Sequence, residues 1–542
     1  MSVNQAPQIY RRDPYVHGSS QWASREHLKS RGFGEKGRYL RGYGQAELHH
    51  KRRFAITSSV KSHYATIGKS RSGKDISAII PDCLTHEGSM VALDPKDAEL
   101  ALTTALTRQN VHGQRVILID PFDCASSKLD LPPSGFNPLA RLVPENPNFF
   151  NRANLIAESI VIQNSKDPFW SEECQALLCG LILFVRICPE GLLPNPNEGR
   201  TLGQVRDCLN LPPKQFNQLI SGEFKKDENE EIHLIKKGMA QSSNRYVRAA
   251  AGRIQNKSSK ERSGVISTAH ANTHFLEGPI YRNILSRDDY DPNDLEKEKL
   301  SVYFCMSAGE MIDDNRILRL FISDTMQSVI RFKNKPKSPI LFMLEEFGTA
   351  LGHLKIIEKA FGLMAGYGMT IHIVLQDLSQ LRIYENWETF LSNCGMIQVT
   401  GVFDDASREY FSKQCGTTTV EFLSGESAAM RASLTGDPDF SSTQDQIFSR
   451  RLITPEEINV LHPAMMLLII AGCHPVICYK SVYFMDAHFR DKNGAPLFTV
   501  HPDHEDKPLP PPVNFYDPNV DIEALLEPIF YSQDEEDKFW FH

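Results

Sequence analysis

The stretch Tyr64-Ala65-Thr66-Ile67-Gly68-Lys69-Ser70-Arg71-Ser72-Gly73-Lys74-Asp75 decides how this chain is read. An apolar run ends at Gly68, a short loop follows, and Gly73-Lys74 opens a predicted helix over Ile76-Ser77-Ala78-Ile79-Ile80. Gly68, four intervening residues, Gly73 and Lys74 have the spacing of a phosphate-binding P-loop. A tight turn of this kind aims successive backbone N–H groups at one point, and the helix N-terminus adds partial positive charge there. On this reading Gly68, Lys69, Ser70, Arg71, Ser72, Gly73, Lys74 and Asp75 form a nucleotide cradle, with Lys74 reaching the β- and γ-phosphates. The bare spacing also fits a glycine-rich surface turn before a buried helix. The order strand, loop, helix favours the cradle.

The motif ordinarily closes on Ser or Thr, whose hydroxyl ligates Mg²⁺. Here that position is Asp75. A carboxylate there either ligates the metal or repels the phosphates. Two unit charges about 4 Å apart interact by about 4 kcal/mol at an effective dielectric near 20.

A second stretch, Pro339-Ile340-Leu341-Phe342-Met343-Leu344-Glu345-Glu346-Phe347, is an apolar strand that ends in two carboxylates. A continuous apolar run predicts a strand buried on both faces. Beside a phosphate loop, the two acids match a Walker-B element: Glu345 holds Mg²⁺ and Glu346 polarises the attacking water. Taken alone they are equally a solvated strand end. Another buried strand, Met369 to Leu375, ends in Gln376, placed to sense a γ-phosphate or to cap its own strand.

Further strands are predicted at Met90-Val91-Ala92-Leu93-Asp94 and Arg115-Val116-Ile117-Leu118-Ile119-Asp120, with helices between. This alternation predicts an α/β fold with a parallel-rich central sheet and ligands at the carboxyl ends of its strands. The loop, Asp94 and Asp120 all fall at such ends. Residues 150–265 change texture: helical spacing dominates, with a charged loop at 225–231, and an all-α insert is expected. Its basic side chains, Lys236, Lys237, Arg245, Arg248, Arg253, Lys257, Lys260 and Arg262, suit either a nucleic-acid backbone or a solvated helix face.

In this order, Gly68 to Lys74, Ala92-Leu93-Asp94-Pro95-Lys96, Ile119-Asp120-Pro121-Phe122, Phe136-Asn137-Pro138-Leu139 and Asp167-Pro168-Phe169-Trp170-Ser171 resemble the type IV secretion coupling protein family. Leu344-Glu345-Glu346-Phe347, Met364-Ala365-Gly366-Tyr367-Gly368, the run Leu375 to Leu381, and Asn393-Cys394-Gly395 continue the resemblance. These are the conjugative coupling ATPases, within the FtsK-like branch of RecA-fold motors. The resemblance spans residues 55 to 490. It implies a RecA-like P-loop NTPase domain interrupted by an all-α domain, and ATP and Mg²⁺ bound between subunits of a homo-hexamer. It also implies docking at the membrane base of a secretion channel, and recruitment of relaxase–DNA or effector-protein cargo, with single-stranded DNA as a further partner.

The expected organisation is a basic arm at 1–50, a nucleotide-binding domain in two parts at 51–150 and 266–500, an all-α domain at 151–265, and an acidic tail at 501–542. Residues 1–53 hold 11 Lys and Arg against 4 Asp and Glu, and residues 503–542 hold 2 against 11. The arm, with Arg11, Arg12, Arg25, Lys29, Arg31, Lys36, Arg38 and Arg41, is expected to be extended with short helices. The tail, ending in Phe539-Trp540-Phe541, reads as a docking segment or a disordered solubiliser. Net charge is −8 over 542 residues, which gives no global nucleic-acid signature. The eleven cysteines form no CxxC pair and read as free thiols of a reducing compartment. The longest apolar run, 176–187, contains Arg186 and falls short of the about 20 residues of a membrane span. The family's usual transmembrane anchor is therefore not expected, and a cytoplasmic protein held at the inner membrane face by partners is.

Two departures from the family pattern, Asp75 and Glu345, fall on the metal side. A third is the lack of an arginine between 362 and 370, which leaves Arg382 and Arg408 as candidates for a trans-acting finger. Three readings follow: an ATP-driven coupling motor, a catalytically degenerate adaptor with the same fold, and a DNA translocase unlinked to secretion.

Overall fold

The structure is a computed structural model. It describes residues 18–531 except 35–38, 48–49, 59–61, 164–166, 227–231, 423–445, 501–508 and 518. Fifteen strands occur among the described residues. In chain order they are β1 (Tyr39–Glu47), β2 (His50–Ser58), β3 (His63–Gly68), β4 (Met90–Asp94), β5 (Arg115–Ile119), β6 (Glu223–Lys226), β7 (Ile232–Lys236) and β8 (Leu300–Cys305). They continue with β9 (Ile340–Leu344), β10 (Met369–Leu375), β11 (Cys394–Gly401), β12 (Thr417–Phe422), β13 (Gln446–Arg451), β14 (Met465–Ile470) and β15 (Val476–Tyr479).

Eleven of them form one sheet in the order β2-β1-β15-β14-β11-β3-β10-β9-β4-β8-β5. From β11 to β5 every pairing is parallel, and from β2 to β11 every pairing is antiparallel. The parallel strands are apolar along their length because both faces are covered: β3, β4, β8, β9 and β10 are buried at every residue. The α/β, parallel-rich reading therefore holds, with an antiparallel flank added.

Between β5 and β8 the chain leaves the sheet for a helical region. Its main helices are Phe149–Ile160, Pro168–Ile187, Leu202–Leu209, Pro213–Ser221, Arg245–Gln255 and Ser259–Asn272. One hydrophobic core runs from these helices into one face of the sheet, joining Leu177 and Ile182 to Ile67, Phe342 and Ile373. The Pro168–Ile187 helix has the length and hydropathy of a membrane span, but 67% of its apolar window is buried in the protein. It is a core helix, and Pro168 opens its first turn, where a missing backbone N–H costs nothing. Where a charged loop was expected, β6 and β7 flank it as a two-stranded hairpin, so this region is not wholly helical.

Both ends of the described chain differ from the expectation. The basic arm does contain a short helix, Arg25–Ser30. Residues 39–47 of it, however, are β1, the penultimate strand at the antiparallel flank of the sheet. Arg41 disguises β1 as solvated chain, yet its guanidinium is fully buried. It donates to both oxygens of Asp82 at 2.6 and 2.7 Å and lies over the rings of Tyr39 and Tyr64. Asp82 in turn lies 3.2 Å from Nδ1 of His372, whose Nε2 is 2.7 Å from Thr66 Oγ1. Gln398 Nε2 donates to the same hydroxyl at 3.0 Å. In the acidic tail, Phe515, Ile522 and Leu526 are buried in a second core with Tyr43. Arg53 donates to the carbonyls of Asp517 and Val520, so this part of the tail is tied to the sheet. Arg11, Arg12, Lys36, Arg38 and the terminal Phe539-Trp540-Phe541 lie outside the described residues.

Candidate active site

The strand order sets up the site. The strand carrying Gln376, β10, lies between β3, which leads into the phosphate loop, and β9, which leads into the two glutamates. β4, which leads to Asp94, pairs with the far side of β9. All four run parallel, so the loop, Gln376, the glutamates and Asp94 emerge at one edge.

The loop is held from behind. Lys69 N–H donates to Gly401 O at 2.8 Å, and the Ser72 and Thr400 hydroxyls are 3.0 Å apart. A side chain on Gly68 would collide with both hydroxyls, so the close approach of β11 requires glycine here. Gly73 has φ +74°, a backbone position that L side chains rarely adopt. Lys69, Ser70 and Arg71 are exposed at the loop's crest, while Ser72, Gly73 and Lys74 are buried beneath it. The following helix begins as a π turn, Asp75–Ile79, and Ser77 Oγ donates to Gly73 O at 2.6 Å.

One contact was not foreseen. Lys96, two residues beyond the end of β4, donates to Asp75 Oδ2 at 3.0 Å. The same ammonium lies 3.6 Å from Glu345 Oε2 and 3.8 Å from Glu346 Oε1. Gln376 Nε2 donates to Glu346 Oε2 at 3.1 Å. Asp75, both glutamates and Gln376 are therefore linked into one network, and the charge of Lys74 acts on Asp75 and Glu345. The sequence signal for Lys96 was its place in Asp94-Pro95-Lys96 at a strand end, opposite more carboxylates than Lys74 can balance.

The electrostatics follow from burial. Desolvation pushes the Glu345 carboxyl up to about 7, with the nearby Asp75 charge adding to the rise. Burial, reinforced by Glu345, pushes Asp94 well up, and burial with Asp75 and Glu345 does the same to Glu99. Asp75 goes the other way: the Lys96 and Lys74 charges outweigh its burial and hold it below the usual range. Glu346 occupies left-handed backbone, φ +46° and ψ +41°, as the cap of the Phe347–Leu351 helix. That conformation costs a non-glycine residue about 1–2 kcal/mol, the kind of strain found where a side chain must be aimed.

The donor set fits a divalent cation with a triphosphate. Asp75 Oδ1, Asp94 Oδ1 and Glu345 Oε2 are buried without a hydrogen-bond partner. Among the described residues, no three His, Cys, Asp or Glu side chains converge into a metal cage. Mg²⁺ suits such a setting, because it is usually held by one or two carboxylates, substrate phosphates and water.

Other residues singled out from the sequence have structural duties. Asp120 accepts the backbone N–H groups of Cys124, Ala125 and Ser126 and is a loop organiser. Arg408 pairs with Asp405 on its own helix, and Arg382 ends the Leu378–Leu381 turn. All eleven cysteines are free thiols, with only Cys124 and Cys473 partly exposed. In the basic cluster, Arg253 and Lys257 both pair with Glu173. A cleft of about 830 Å³ near Asp120, lined also by Asp130 and Arg287, contains none of the phosphate-loop residues. Lys480, also unforeseen, is fully buried, and its ammonium donates to the carbonyls of Ser72, Thr400 and Pro463 at 2.8, 3.0 and 2.6 Å. It ties the loop to the antiparallel flank.

Residues 21–503 match the family model described as type IV secretory system conjugative DNA transfer. The chain belongs to that family. Among its relatives is the conjugal transfer protein TraG of Rhizobium radiobacter, 24% identical over 433 residues, covering 78% of this chain and 62% of that protein. Another is the type IV secretion system-coupling protein VirD4 of Bartonella henselae, 23% identical over 423 residues, covering 76% and 61% respectively. The chain thus spans about three-fifths of the length of the curated relatives that lead this comparison. In fold, this family member is similar to the unbound bacterial conjugative coupling protein TrwBdeltaN70, with a TM-score of 0.59, 12% identity, and coverage of 90% of this chain and 98% of that one. It is also similar to plasmid coupling protein TrwB in complex with ADP and Mg²⁺, with a TM-score of 0.57, 12% identity, and coverage of 85% and 94%.

Proposed function

We propose that this chain is the ATP-hydrolysing subunit of a type IV secretion coupling complex. The observation that carries this reading is the single network in which Asp75, Lys96, Glu345, Glu346 and Gln376 meet beside Lys74 at one edge of the sheet. Lys74 and the backbone N–H groups of residues 68–75 hold the phosphates. Asp75 and Glu345 would hold Mg²⁺, which when bound would supply positive charge to the phosphates. Glu346, aimed by its left-handed backbone and steadied by Gln376, takes the proton of the attacking water. Gln376 reports the state of the γ-phosphate through that same hydrogen bond. The nucleotide-binding unit comprises residues 51–150 and 266–500, and residues 151–265 form an insert that contacts cargo. The working state is a homo-hexamer with Arg382 or Arg408 reaching into a neighbour's site. The partners are channel components and relaxase–DNA or effector proteins, at the inner face of the cell membrane.

Lys74→Ala is expected to abolish binding of a fluorescent ATP analogue, while Glu346→Gln keeps binding and loses turnover by about 10²-fold or more. ATP hydrolysis by Lys74→Ala at the parent rate would sink the assignment. The adaptor reading draws on Asp75 at the hydroxyl position with a lysine already paired to it. Calorimetry with Mg²⁺–ATP separates the two readings: no heat of binding favours the adaptor, and measurable turnover excludes it. Tight binding of any DNA with a steep salt slope, and no dependence on channel components, would instead favour the translocase.

A further inference from the structure

We propose that Lys96 is the site's own counter-ion: it neutralises Asp75, Glu345 and Glu346 while no divalent cation is bound, and yields them when metal and nucleotide enter. The inference rests on the nucleotide reading above and adds a regulation of that site. Asp75, Glu345 and Glu346 face Lys96, the Glu345 charge also raises Asp94 and Glu99, and Lys74 is the other cation acting on Asp75 and Glu345. Lys96 satisfies the group only in part. It makes one hydrogen bond, to Asp75, and stands off the two glutamates at 3.6 and 3.8 Å. The Asp75 and Glu345 oxygens left without a hydrogen bond are where a second cation finds ligands.

Lys96 is also able to leave. Its side chain is 25% exposed, whereas that of Glu345 is 2% exposed. A lysine ammonium is a compact, well-hydrated charge on a flexible four-carbon stem, so the alternative partner, water, is within reach. The backbone just after it turns through two left-handed residues, Asp97 at φ +52° and Ala98 at φ +65°, before the helix begins. This bend holds Lys96 beside β9 without committing it to a helix. The arrangement also accounts for Asp75. A carboxylate at the loop's hydroxyl position would stand unpaired in the empty site, and Lys96 supplies its partner until a divalent cation takes that place.

The test is Mn²⁺ binding to the nucleotide-free full chain, followed by the electron paramagnetic resonance signal of free Mn²⁺. The parent is expected to bind weakly. Lys96→Met is expected to bind at least about tenfold more tightly, equivalent to about 1.4 kcal/mol. Lys96→Gln, judged folded by circular dichroism, repeats the measurement with a polar stem. Equal Mn²⁺ affinity in parent and variants overturns the proposal. The parent alone gives a second readout: acylation of Lys96 by an amine-reactive ester, followed by mass spectrometry. It should be faster with Mn²⁺ and ADP than with chelator, and equal or slower acylation counts against release. Binding of a fluorescent ATP analogue to the parent is measured alongside. If the analogue binds and the Mn²⁺ affinities coincide, the counter-ion role alone fails; if the parent binds no nucleotide, the functional reading fails with it.

Discussion

Glu345 is buried at the end of β9, and its carboxyl, raised to about 7, holds its proton more tightly in the folded chain than in the unfolded one. A raised carboxyl stabilises the fold fully below its unfolded value near 4.5, and that contribution is lost as pH rises through about 7. Asp94 and Glu99 shift in the same direction, and Asp75 opposes them. Glu345 by itself is therefore expected to make the metal-free protein less stable at pH 8 than at pH 5.5, while Lys480, which burial lowers to about 7, acts in the opposite sense above that value. Glu345→Gln should remove about 2 kcal/mol of pH-dependent stability between pH 5.5 and pH 8. Differential scanning calorimetry at the two pH values checks it, and an unchanged slope in the variant would assign the effect elsewhere. Affinity for Mg²⁺–nucleotide should run oppositely, rising through pH 7, because the metal needs the ionised carboxylate.

Among the elements, the phosphate loop depends on the antiparallel flank through Lys480. Removing the ammonium takes a donor from two buried carbonyls and one partly buried one, at about 1–3 kcal/mol for each group left unpaired, offset by the charge no longer buried. Lys480→Met is expected to destabilise the protein by roughly 2–4 kcal/mol and to weaken nucleotide binding about tenfold, since Ser72 loses its anchor. A melting curve paired with a fluorescent-nucleotide titration reads both. Lower stability with unchanged affinity would make Lys480 a core residue only. Strand identity at this scale was readable from the sequence because continuous apolar runs and their polar ends are local signals. The neighbours of each strand were not: that β10 lies between β3 and β9 depends on crossovers hundreds of residues apart. Lys480 follows an apolar run, and nothing local distinguishes it from a lysine just beyond a strand end.

For the whole molecule, the described part of the acidic tail behaves as structure. Phe515, Ile522 and Leu526 are buried, and burying such a side chain contributes about 1.5–3 kcal/mol. Tyr479 also donates to Glu523 at 3.0 Å, and Tyr43 stacks on Phe515. A chain ending at Val500 is expected to melt well below the parent and to bind a hydrophobic dye at its exposed β1 face. Coincident melting curves would mean that the tail adds nothing to stability. The sequence concealed this because charge density dominates the tail, while its three buried apolar residues are widely spaced. The same masking hid β1, where a buried arginine sits among glycines. The phosphate loop and the acid pair were legible because their chemistry needs fixed residue types at short spacing. Lys96 was not, because its partners lie beyond the ends of two other strands, β3 and β9.

The carboxylate of Asp82 takes two hydrogen bonds from the guanidinium of the outlying β1 and lies 3.2 Å from the imidazole of the central β10. Asp82 itself belongs to the Ile80–Thr85 helix, which continues directly from the π turn behind the phosphate loop. Displacing that outlying strand means breaking this buried pair or carrying with it the helix that starts behind the phosphate loop.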